Sequence, residues 1–80
     1  MKHVQVTVVD SSGRPQSDIK VSIYVHQFAA QGMTDAQYTN RDGETNFKLN
    51  IDDYAEISVY VKGDEVFKRA SVKAEYLAKV

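Results

Sequence analysis

Eighty residues, 42% hydrophobic and 26% charged, with one proline, four glycines and no cysteine, make up a single domain over 1–80, because this mix buries one core and not two. The absence of cysteine excludes a disulfide scaffold, a thiolate zinc site and a cysteine nucleophile. Ten basic against eleven acidic residues give a net charge of -1, which removes the electrostatic drive toward nucleic acid or an anionic membrane.

Val4, Val6 and Val8 share one face of the first segment while His3, Gln5 and Thr7 share the other, the period of a strand with one buried side. A signal peptide needs a continuous apolar run here, and no window approaches the roughly 18 apolar residues of a membrane span. The expected compartment is the cell envelope or exterior if the domain is cut from a longer exported protein, and the cytoplasm otherwise. Residues 10–15, Asp-Ser-Ser-Gly-Arg-Pro, are turn formers and are expected to turn a first hairpin. Ile19, Val21, Ile23 and Val25 then alternate with Lys20, Ser22, Tyr24 and His26, a strand for the centre of a sheet.

Residues 27–33 lose the alternation and read as a loop, with Phe28 and Met33 folding over one open end of the molecule or serving as a contact. A weaker strand is expected over 34–39, and the Asp42-Gly43 pair predicts a tight hairpin into a strand carrying Phe47 and Leu49. After a polar connection at 50–54, Ile57, Val59 and Val61 alternate with Glu56, Ser58, Tyr60 and Lys62, and 62–65 form the next turn. The tail from 66 to about 76 reads as an edge strand, with a helix over 72–80 as the alternative. Together these elements predict an all-β fold, an antiparallel β-sandwich of six to seven short strands, with a small barrel second.

The series Val6-Thr7-Val8-Val9-Asp10, Gly13-Arg14-Pro15, Ile19-Lys20-Val21-Ser22-Ile23-Tyr24, Thr39-Asn40-Arg41-Asp42-Gly43-Glu44 with Phe47, and Tyr54-Ala55-Glu56-Ile57-Ser58-Val59 resembles the transthyretin-like or carboxypeptidase-regulatory-like sandwich. It is similar in strand and turn rhythm to bacterial immunoglobulin-like repeats as well. The resemblance implies a sandwich, and in some members a 5-hydroxyisourate hydrolase using histidines, an arginine and a C-terminal Tyr-Arg-Gly-Ser tail. Carried onto this chain, the first-strand histidine falls on Thr7 and the arginine after Asp-Gly falls on Glu44, and no such tail occurs. A degenerate hydrolase-like protein is therefore only a remote alternative.

No residue set here supplies a catalytic centre, a metal site or a need for a cofactor. His3 and His26 are the only histidines and make an incomplete donor set, Asp52 and Asp53 lack the spacing of a calcium loop, and the serines have no nucleophile-elbow context. The candidate contact residues are Tyr24, His26, Tyr60 and Lys62 on outward strand faces, with Phe28 in the loop. The expected role is a non-enzymatic structural or protein-interaction module, its partner another protein or a neighbouring domain. A carbohydrate or small-molecule binding module that uses exposed tyrosines is the alternative.

Overall fold

A computed structural model describes residues 1–26 and 32–80. Among these residues lie eight strands: β1 Lys2–Val9, β2 Lys20–His26, β3 Gly32–Met33, β4 Gln37–Tyr38, β5 Glu44–Leu49, β6 Glu56–Val61, β7 Asp64–Ser71 and β8 Glu75–Lys79. A first sheet has the order β5-β1-β8; a second has β3-β2-β6-β7, with β4 also on β2. Every pair of strands is antiparallel except β1 with β8, which run parallel. The fold is an all-β sandwich, as the alternation predicts.

The valine and isoleucine stripes form the core. Val4, Val6 and Val8 of β1 and Phe47 and Leu49 of β5 cluster with Val21, Ile23 and Val25 of β2 and Ile57, Val59 and Val61 of β6. Burying each such side chain contributes about 1.5–3 kcal/mol, and a strand with period two presents its whole apolar set to one side at once. As expected, β2 is central, hydrogen-bonded to β6 on one edge and to β3 and β4 on the other.

Two expected hairpins are instead crossings between sheets. The 10–15 turn forms, with Asp10 Oδ1 accepting from the backbone N–H of Ser12 and Arg14, and Val9 bridges Pro15. Beyond it, however, the chain leaves β1 and enters the second sheet as β2. The 40–43 turn likewise links β4 of the second sheet to β5 of the first. Turn chemistry fixes a local reversal; it does not choose the sheet that the next strand joins. Buried Thr39 ties the two crossings together: its Oγ1 donates to the Gln16 carbonyl at 2.6 Å and accepts from Ile19 N–H at 2.9 Å.

Of the expected strand over 34–39 only Gln37–Tyr38 forms, as β4, and β3 falls in the stretch expected to be a loop. Thr34 N–H donates to the Ile23 carbonyl, but the Thr34 hydroxyl takes the Ile23 N–H, so a side chain stands in for the next ladder carbonyl and the chain leaves the edge before β4. The 62–65 turn is tighter than expected. Lys62 and Gly63 alone form it, with φ of 56° and 84°, and Val61 already pairs with Asp64. Positive φ at both central residues is the two-residue hairpin geometry that matches strand twist.

The tail is neither one edge strand nor a helix. β7 extends the second sheet, buried Val72 donates its N–H to the Ala55 carbonyl, and β8 then lies beside β1 in the first sheet. Alternation decides this, since Tyr76 and Ala78 turn inward while Glu75, Leu77 and Lys79 are exposed, and so short a helix gains little without tertiary packing. Phe67 and Tyr76, edge-on with ring centroids 5.0 Å apart, pack against the core where β7 and β8 change sheets.

Candidate functional site

The outer face of the second sheet collects most of the candidate residues. In the β2–β6 register Ser22 lies opposite Tyr60, Tyr24 opposite Ser58 and His26 opposite Glu56. The two tyrosines are therefore diagonal neighbours, each facing a serine rather than the other ring. The small side chains form a floor between them: Ser58 is 0% exposed and Ser22 8%, although both lie on the face turned away from the core. His26 Nε2 and Ser58 Oγ share a hydrogen bond of 3.0 Å, and the Tyr24 and His26 rings stand 4.6 Å apart, tilted by 48°. This bond satisfies the buried Ser58 hydroxyl and fixes the imidazole, which in turn supports the Tyr24 ring.

The face continues beyond β2. Met33 of β3 lies opposite Tyr24 and is 51% exposed, and Tyr38 of β4 lies opposite Lys20 and is 62% exposed. Between this edge and Tyr60 runs a shallow groove of about 420 Å³ bordered by Lys20, Ser22, Met33, Thr34, Asp35 and Tyr60. On the β7 side, Arg69 Nε donates to Glu56 Oε1 at 2.6 Å across an exposed rim.

Tyr24, His26 and Tyr60 are thus brought together. Lys62 is not on the strand face with Tyr60; it occupies the turn in the left-handed region, exposed, with its backbone N–H donating to the Lys20 carbonyl. Phe28 lies outside the described residues. Met33 does not cover an open end, because β3 holds it on the outer face beside Tyr24. Sequence reasoning missed Met33 and Tyr38 as parts of this face, since two-residue strands have no readable period. In the 40–43 turn Asn40, Arg41 and Asp42 are exposed, while Gly43 is buried and its carbonyl accepts from Val8 N–H.

The outer face of the first sheet differs in chemistry. Thr7 pairs with Glu44 on one side and Leu77 on the other, above a shallow depression of about 320 Å³. The two positions onto which the resemblance carries a catalytic histidine and arginine are therefore adjacent, but they offer a hydroxyl and a carboxylate. Among the described residues no three His, Asp or Glu side chains cluster as a metal ion requires, and no helix is long and apolar enough to cross a membrane. Asp52 Oδ1 accepts from Tyr54 N–H, and Asp53 pairs with Lys2 at 3.4 Å.

Comparisons with protein families, with curated proteins and with solved structures find no match for this chain.

Proposed function

We infer that this chain is a non-enzymatic β-sandwich module, of the transthyretin-like or carboxypeptidase-regulatory-like kind, that makes protein contacts through the outer face of its second sheet. The observation that carries the reading is the diagonal of Tyr24 and Tyr60 over a buried serine floor, continued by exposed Met33 and Tyr38. Tyrosine and methionine are enriched in protein interfaces because they offer large apolar area, and tyrosine adds a polar tip. Held on paired strands, they lose little further freedom on binding. The family likeness is supported by where its segments fall: β1, β2, the turn into β5, and the entry to β6.

The groove beside Tyr60 favours a second reading. A ring face next to Ser22, Lys20 and Asp35 suits a sugar or another small polar molecule, which would stack on the tyrosine and hydrogen-bond at its edge. An amide-resolved NMR titration with a glycan panel separates the two readings. Saturable shifts confined to Ser22, Met33 and Tyr60 establish the sugar reading, and silence across the panel removes it.

The tyrosines serve contact only if the fold does not depend on them. A Tyr24→Ser/Tyr60→Ser double variant is expected to stay folded and to lose no more than about 2 kcal/mol in urea unfolding, since half-exposed cross-strand neighbours contribute modestly. A loss approaching the whole stability of the domain would make them braces of the sheet and defeat the contact reading.

A further inference from the structure

We propose that the free edge of β8 is a self-association site, at which two copies of this chain pair their β8 strands antiparallel about a twofold axis through Leu77. This surface lies on the first sheet, so the proposal does not rest on the tyrosine face of the second.

Among the described residues β8 pairs only with β1, which leaves its other edge open. The hydrogen bonds toward β1 come from alternate residues. Ala74 accepts from Gln5 N–H at one end of the strand, and Val80 N–H donates to the Val9 carbonyl at the other. The parallel ladder between them accordingly uses Tyr76 and Ala78. The N–H and C=O groups of Glu75, Leu77 and Lys79 therefore point to the free edge.

Antiparallel pairing centred on Leu77 sets those same residues against one another: Leu77 opposite Leu77 of the second copy, and Glu75 opposite its Lys79 on both sides of the axis. Each is a hydrogen-bonded type of pair, so six backbone bonds close with no groups out of phase. The side chains agree with the backbone. Glu75, Leu77 and Lys79 are all exposed on the same face, Leu77 at 58%, so the dimer would join two leucines on the axis and flank them with two opposite-charge pairs. A twofold contact of this kind is self-complementary and closes at two copies.

The strand lacks two of the devices that usually protect an edge, a proline and a bulge, and its one lysine, Lys79, would face Glu75 of the second copy. β8 runs in unbroken register with β1. By contrast, β7, the open edge of the second sheet, carries two register shifts and the Lys68-Arg69 pair.

Sedimentation velocity over a concentration series tests the proposal with two exposed-residue variants, Glu75→Lys and Lys79→Glu, each first checked for wild-type circular dichroism. The wild-type chain is expected to dimerise, more weakly as salt rises. Each variant alone sets like charges opposite each other twice and should associate at least about tenfold more weakly. An equimolar mixture of the two restores both opposite-charge pairs and should recover the dimer. A wild-type chain that stays monomeric to about 1 mM, the weak end of measurable association, overturns the proposal. So does a mixture that associates no better than its components.

Discussion

Phe47→Ala is expected to be the most destabilising single truncation in this domain, removing about 3–5 kcal/mol. Phe47 is 2% exposed, the largest of the fully buried side chains, and lies on β5, where it pairs with Val4 inside the core. Truncating a buried phenylalanine costs about 3–5 kcal/mol through lost transfer energy and the cavity left behind. A domain of this length has only about 4–12 kcal/mol to lose. With no disulfide to restrain the unfolded chain, nothing covalent offsets the loss. Urea unfolding followed by circular dichroism should find the midpoint lowered by more than about 1 M. A shift of less than about 1 kcal/mol would mean that β5 does not pack as described.

Gly43→Ala should rank next, at about 3 kcal/mol, for a reason unrelated to the core. Gly43 has φ +75°, and a Cβ there would stand 2.5 Å from the Val8 carbonyl oxygen, 3.1 Å from Gln16 N and 3.2 Å from Pro15 Cα, all backbone atoms. None of these can swing aside. The turn is anchored from both ends, since Asn40 Oδ1 accepts from Asp42 and Glu44 N–H while Val8 N–H donates to the Gly43 carbonyl. Relief of the clash would have to break the join between the two crossings. Gly13→Ala is the matched control: its φ is +85°, but a Cβ meets nothing within 4 Å, so only the conformational cost of about 1 kcal/mol applies. Thermal unfolding of the two variants side by side checks the difference, and equal losses would contradict the close approach.

The contrast between these glycines marks how far the sequence could be read. Asp42-Gly43 and Lys62-Gly63 both announce turns, yet one crosses between sheets and the other closes a true hairpin. The difference lies in the long-range partners of β1 and β2, which no local motif encodes. The valine stripes were legible because period two follows directly from the strand geometry of buried residues. For the same reason Tyr24, His26 and Tyr60 could be assigned to an outward face. Their diagonal placement was not legible, because it depends on the β2–β6 register, and neither was the complete burial of Ser58, which its neighbours impose. The tail misled for a related reason. Mixed charges at Glu75 and Lys79 obscured a short strand whose partner, β1, lies at the other end of the sequence.

Contact through the second sheet is the central claim, and position-specific photo-crosslinking in the source cells tests it most directly. A benzophenone side chain is placed at Tyr24 or at Tyr60, with Lys48 on the outer face of the first sheet as the control. The account predicts one discrete protein adduct shared by the Tyr24 and Tyr60 positions and missing at Lys48. Adducts of equal yield from both faces, or none from the two tyrosine positions, would contradict it.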